Sequence, residues 1–463
     1  MHQRRAAGGK VVEIGLGCLR AMGQQSARPQ HPQPVQPEDG AGAVLLLHQP
    51  QFGGRLAAVL AHRRAQFGGK GGGALQKRGR AGLDPVGGEH GADQPARAPL
   101  DPGGKAVTIL GTVDGNGDPT SILDGGNLEG GSNGVRVLIC QSGETSTTVF
   151  QNLVIQNGYA GDGGGMVNDN GSNPTLTNCT FTGNSARYTG GGMWNDNSSS
   201  PTLTDCTFTS NSVTDFVGRG GGMYNLDGSS PTLTGCTFTS NSVEFNGGGM
   251  YNTVSSSPTL TDCTFTGNSA NRGGAGMYNF DSSPTLTECT FTNNSAGYDG
   301  GGMLNYYDSS PTLTNCTFTN NSVSENGGGM LNGPSCSPTL TDCTFMGNSA
   351  TGDGGGMWNN PTSSRPTLTN CNFCGNTSGT GNRNINGSID GSSSGNRLLL
   401  NCNTGDVNFD LQIDSGDLGY LLALWGASSV LNADINQDGE VNGADLAYIL
   451  SHFGGATDDT TAD

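Results

Sequence analysis

Gly191-Gly192-Met193-Trp194-Asn195, a short Ser/Asn-rich link, and then Pro201-Thr202-Leu203-Thr204-Asp205-Cys206-Thr207-Phe208-Thr209-Ser210-Asn211 make one turn of a pattern that occurs eight times between residues 162 and 376. The methionines that mark it are Met166, Met193, Met223, Met250, Met277, Met303, Met330 and Met357, with gaps of 27, 30, 27, 27, 26, 27 and 27 residues. A period of that length is one stacking unit, too short to be a domain. Within the unit Thr177, Cys179 and Phe181 fall on alternate positions, as in a half-buried strand, and the segment is rich in β-branched residues. Leu176 breaks parity with Cys179. Between them the intervening position reads Asn178, Asp205, Gly235, Asp262, Glu288, Asn315, Asp342 and Asn370. Asn, Asp and Gly tolerate a left-handed backbone, so a one-residue bend there turns Leu, Cys and Phe all inward.

The unit contains no helical period, so each coil must bury its Leu, Cys, Phe and Met against the same residues of its neighbours, at the strand spacing of about 4.8 Å. That arrangement is an all-β parallel β-helix, or solenoid. Stacking also places Asn over Asn in two columns, one running from Asn168 to Asn359 and the other from Asn184 to Asn376. Side-chain amides stacked in this way can hydrogen-bond along the axis and satisfy polar groups the corners would otherwise bury. Phe150-Gln151-Asn152-Leu153-Val154-Ile155 fits the Leu-to-Phe stretch as an earlier, irregular coil, segments 106–124 and 135–140 read as strands before it, and Arg397-Leu398-Leu399-Leu400 reads as a closing strand. The solenoid is expected over residues 105–400, about ten or eleven coils or on the order of 50 Å of rod.

Composition agrees with a repeat and excludes several classes. Of 463 residues 80 are Gly and only 32% are hydrophobic, too few for one large core, while a charged fraction of 13% is low for a disordered chain. Residues 1–104 hold 13 Lys and Arg against 7 Asp and Glu, and the remainder 8 against 32. The acidic part is therefore a poor nucleic-acid partner. No run approaches the roughly 18 apolar residues of a membrane helix. Residues 1–104 show no sustained period and no readable export signal. They are expected to be a disordered basic arm or a stretch foreign to the native N-terminus.

The Gly-Gly-Met and Phe-x-x-Asn pair, as in Gly191-Gly192-Met193 and Phe208-Thr209-Ser210-Asn211, resembles the repeat of the chlamydial polymorphic outer-membrane proteins and related right-handed β-helix surface proteins. Ile122-Leu123-Asp124-Gly125-Gly126-Asn127 is similar to their early coils. The resemblance implies a right-handed β-helix on the cell surface or outside the cell. Those membrane proteins end in a β-barrel, for which this sequence has no counterpart.

Toward the C-terminus two twelve-residue loops place oxygen ligands in one frame: Asp406, Asn408, Asp410, Asp414 and Asp417 with Gln412 through its carbonyl, then Asp434, Asn436, Asp438, Asn442 and Asp445 with Glu440 through its carbonyl. Calcium takes six to eight oxygens, and alternate residues of such a loop converge on it. Leu411 stands where the first loop would carry Gly, which weakens that site, and apolar helical stretches are expected at 418–425 and 446–453. This duplicated loop and helix, residues 404–456 ahead of an acidic tail at 457–463, resembles a type I dockerin. The resemblance implies a calcium-folded α-helical module that binds a cohesin domain. The positions by which dockerins read cohesins are here Ser415-Gly416 and Gly443-Ala444.

Two further sets of residues are candidates. The variable position between Met and Asn reads Val167, Trp194, Tyr224, Tyr251, Tyr278, Leu304, Leu331 and Trp358. With Met and Asn facing in, it is expected to face out as an exposed stripe, and Trp194, Tyr224, Tyr251, Tyr278 and Trp358 would then bind a carbohydrate or a cell-surface ligand. The eight repeat cysteines form a core ladder, and Cys371-Asn372-Phe373-Cys374 lacks a histidine to complete a metal site. A polysaccharide lyase or glycosidase on the same scaffold is the alternative. Asp262 and Glu288 are carboxylates on adjacent coils, but at the bend position, where backbone geometry already accounts for them. The arginines Arg187, Arg219, Arg272 and Arg365 occupy different positions in the unit, and no base sits beside a charge-stabilising cation. The sequence thus reads as an adhesion or glycan-binding protein held through calcium and cohesin.

Overall fold

The computed structural model describes residues 11–13, 43–46, 98–126, 135–381, 384–399, 415–426 and 441–452. Strands from successive coils pair in parallel and in register to build four sheets of 12, 11, 9 and 10 strands. Thr-Leu-Thr strands make one face and Thr-Phe-Thr strands the next. Ser-Val or Ser-Ala pairs make a short third face, and strands beginning at Met the fourth. Thr207-Phe208-Thr209 lies directly on Thr237-Phe238-Thr239. The phenylalanine rings from Phe181 to Phe373 stack with centroids 4.6–4.7 Å apart and planes within 4°. Leu, Cys, Phe and Met of the eight repeats are fully buried in one continuous core.

The corners follow from the residues expected at them. All eight bend residues from Asn178 to Asn370 have positive φ, including Glu288 at 56°. Replacing Glu288 by Gly removes a Cβ from a left-handed position and is expected to stabilise the solenoid by about 1 kcal/mol, read as a higher urea midpoint at unchanged slope. The glycine triplet serves a different need. Gly220 has φ of 68°, and a Cβ on Gly222 would lie 2.5 Å from the Gly249 carbonyl oxygen, so at the third position neighbouring coils approach too closely for a side chain, whereas the middle position admits Ala275.

Both asparagine columns form the expected ladders. Asn211 donates its backbone N–H (3.1 Å) and its side-chain amide (3.0 Å) to Asn241 Oδ1, and the other amide hydrogen to the Phe181 carbonyl (2.9 Å). Asn168 to Asn359 link one to the next at 2.7–2.9 Å. Buried serines form a further column, with Ser199 N–H donating to Ser229 Oγ at 3.0 Å. A small cluster of Ala186, Val213, Val243 and Ala270, continued by later coils, lies behind the short third face.

The irregular ends fit the same columns. Phe150 and Ile155 pair with Leu176 and Phe181, and Arg397–Leu399 closes the phenylalanine sheet on Asn372–Cys374. Within the first 104 residues, Val11–Glu13 pairs with Ala43–Leu46, which pairs with Val107–Leu110, so that Val12, Leu45 and Ile109 continue the leucine column. The rest of residues 1–97 lies outside the described residues. Toward the C-terminus, helix α1 spans Ser415–Ala423 and helix α2 Gly443–His452. Each begins three residues before its expected apolar stretch, because the last residues of each loop already form the first helical turn. Leu421, Val441 and Ile449 are buried, and Gly426 N–H donates to the Val441 carbonyl at 2.9 Å.

Candidate functional site

The outer column of the methionine face corrects one sequence expectation. It points away from the core, as parity requires, yet Tyr224, Tyr251 and Tyr278 are only 6%, 5% and 8% exposed, and Leu304 and Leu331 are buried with them. Trp194 and Trp358 alone among the five aromatic candidates keep partial exposure. The column is a second apolar layer, roofed by the loop that joins the short third face to the glycine triplet. Arg219 from that loop lies over the Tyr251 ring at 5.7 Å. Burial raises the Tyr224 and Tyr251 phenols, against the opposing pull of the Arg219 charge.

That roofing loop is where the coils differ most. The 30-residue coil owes its extra length to it, and the added turn carries Phe216, which is 78% exposed, and exposed Val217. On the same loop of neighbouring coils stand Tyr188, Phe245 and Tyr298, with Arg187, Arg219 and Arg272 among them. Arg187 lies 4.9 Å from the centre of the Tyr188 ring and Arg272 4.8 Å from that of Phe245, while Arg219 faces Phe245 at 5.6 Å and Arg272 faces Tyr298 at 5.9 Å. Three arginines that occupy different unit positions in the sequence are thus gathered on one corner, Arg187 and Arg272 from different places in loops of equal length and Arg219 from the longer loop between them. The signal that could have found the corner is the single gap of 30 among the methionines, since extra residues in a repeat array map to loops on one face.

The cysteine ladder is a core feature. Cys179 to Cys371 are buried free thiols. Cys206 donates to the Thr204 carbonyl at 3.4 Å, and burial pushes its thiol up. Cys374 is disulfide-bonded whereas Cys371 is free, so Cys371 and Cys374 do not act as a pair. Asp262 and Glu288 are exposed at left-handed bends.

Of the twelve calcium candidates, Asp406, Asn408, Asp410, Gln412, Asp414, Asp434, Asn436, Asp438 and Glu440 lie outside the described residues, and Asp417 falls in α1. The other two are informative. Asp445, in the first turn of α2, is fully buried, and its Oδ2 accepts the Asn442 backbone N–H at 2.9 Å. Asn442 Oδ1 in turn accepts the Ala444 N–H at 2.8 Å. A buried carboxylate ordered at the loop exit, with only oxygen donors spaced before it, fits a hard cation. Ser415, Gly416, Gly443 and Ala444 are exposed at the starts of the two helices.

A family model described as right-handed beta helix region matches residues 116–318 and 227–404. The chain belongs to the right-handed β-helix family. This β-helix protein carries a C-terminal dockerin, since the dockerin type I domain model matches residues 404–453. Dockerin domains bind cohesins and are generally calcium-binding, and the proteins that contain them are typically extracellular or on the cell surface. No curated protein matches the β-helix protein. Among its described residues no helix is long and apolar enough to cross a membrane.

Proposed function

We propose that this chain is a binding protein displayed outside the cell, held through its calcium-loaded dockerin on a cohesin-bearing partner, with the solenoid as a rod that presents a contact surface for adhesion to glycan or to another surface. The observation that carries the reading is the division of labour along the chain. One end is an attachment module, and the largest insertion in the rod's repeat opens an exposed corner of aromatic and basic side chains. Asp406, Asn408, Asp410, Gln412, Asp414 and Asp417 would hold one calcium ion, and Asp434, Asn436, Asp438, Glu440, Asn442 and Asp445 a second. The ion's part is to hold each loop closed, so that α1 and α2 offer Ser415-Gly416 and Gly443-Ala444 to the cohesin. Trp194 and Trp358 are the members of the outer aromatic column that remain open to a ligand.

Incubation of the full chain with insoluble plant and microbial polysaccharides separates this reading from a degradative enzyme. Retention on the solid without release of reducing ends is the expected result. Accumulation of soluble products would replace binding with catalysis as the activity.

A further inference from the structure

We propose that the aromatic and arginine corner is a binding site for a polysaccharide carrying carboxylates, a uronic-acid glycan lying along the solenoid axis. The inference deepens the binding reading above and rests on it. Tyr188, Phe216, Phe245, Arg272 and Tyr298 come from five successive coils, on the order of 20 Å of axis at the strand spacing. The row is one loop wide, a narrow ridge suited to a single extended chain, whereas a protein partner needs a broad patch of about 800 Å².

Its chemistry points to an anionic sugar. Exposed rings give apolar platforms for the faces of sugar rings. The guanidiniums stacked against Tyr188, Phe245 and Tyr298 are held in place by those rings, and their planar N–H forks match carboxylates. Carboxylates share the corner: Asp215 lies 4.0 Å from Arg187 and pairs with it, while Glu244 is exposed and accepts a hydrogen bond from the neutral amide of Asn271, which leaves its charge in place. Past Tyr298 the same corner turns acidic at Asp299, Glu325 and Asp353. Between residues 162 and 376 only Arg365 is basic apart from these three arginines. Arg187, Arg219 and Arg272 balance Asp215, Glu244 and Asp299 on the same loops, so in an otherwise acidic rod this stretch repels a polyanion least and offers it the exposed guanidiniums of Arg187 and Arg272.

The test is calorimetric titration of the full chain with short oligogalacturonides, which do not gel, and with the same oligosaccharides after their carboxyl groups have been reduced to alcohols. The acidic oligomers are expected to bind, more weakly as ionic strength rises, and at least about tenfold more tightly than the reduced ones, since each carboxylate forms hydrogen bonds to a charged partner. The exposed double variant Arg187→Gln/Arg272→Gln is expected to lose about tenfold or more in affinity, and Phe216→Ala several-fold, with unchanged circular dichroism and unchanged cohesin binding. Equal affinity for acidic and reduced oligomers, unchanged binding by the double variant, or no binding at low salt would each overturn the assignment. Retention on an insoluble neutral glycan with no uronide binding would overturn it while leaving the broader binding function standing.

Discussion

Chelation of calcium is expected to unfold residues 404–456 and abolish binding to the cohesin partner while the solenoid stays intact. The dockerin has a small apolar core, with Leu421, Val441 and Ile449 its buried described members, and a core of that size cannot offset the chain entropy of some fifty residues. Closing either loop would bring several carboxylates together, and they would repel one another until a cation is present. An ion at about a thousand times its dissociation constant contributes roughly 4 kcal/mol per site, enough to decide whether so small a module folds. Hydrogen exchange is the direct readout: amides of Ser415–Ala423 and Gly443–His452 lose protection in chelator, and those of the Thr-Phe-Thr strands do not. Equal protection of both helices with and without calcium would rule out the calcium-folded module. The two loops should differ. Asp438→Ala, in the loop with the expected glycine turn, should cost more affinity for the ion than Asp410→Ala, beside Leu411.

What the sequence revealed and what it withheld divide along a physical line. The residue at the bend was legible because Asn178, Asp205, Gly235 and all their successors except Glu288 share tolerance of positive φ. The core columns were legible because register is fixed wherever a one-residue slip would expose every buried Leu and Phe. Burial of Tyr224, Tyr251 and Tyr278 was not. Parity says on which side of a sheet a residue lies, and it is silent on whether a later loop folds back over that side. The grouping of Arg187, Arg219 and Arg272 was hidden for a related reason, since they stand 6, 4 and 5 residues before their methionines. Only the three-dimensional course of the loops, in which residues at different loop positions reach the same corner, puts them in one place. The same limit applies to the serine column, because Ser199 and Ser229 sit in a link that reads as generic polar sequence until stacking gives each hydroxyl a partner.

Asn241→Ala is expected to cost about 4 kcal/mol, far more than an outward change in the same coil such as Thr237→Ala, which should stay within about 0.5 kcal/mol. The argument is a count of orphaned groups. Asn241 Oδ1 accepts both the backbone N–H and a side-chain hydrogen of Asn211, and its own amide donates to the Phe208 carbonyl and to Asn268 Oδ1. Truncation leaves two donors of Asn211 without a partner in a site water does not reach, at about 1–3 kcal/mol each, and also removes the second hydrogen bond to the Phe208 carbonyl. Urea unfolding of the two variants checks the difference, and similar losses would mean that the ladder merely fills space. Asn241→Asp separates hydrogen bonding from volume. The carboxylate is nearly isosteric and still accepts from Asn211, but when ionised it donates nothing and faces the oxygens of Phe208 and Asn268. Its folded-state pKa is therefore raised above the unfolded value, so the native state binds the proton more tightly, and the destabilisation is greatest at neutral pH. As pH falls through that raised pKa the protonated acid regains one donor, and the deficit relative to wild type should shrink. A deficit independent of pH would place the cost in packing and leave the amide hydrogen bonds with no special share in holding the coils together.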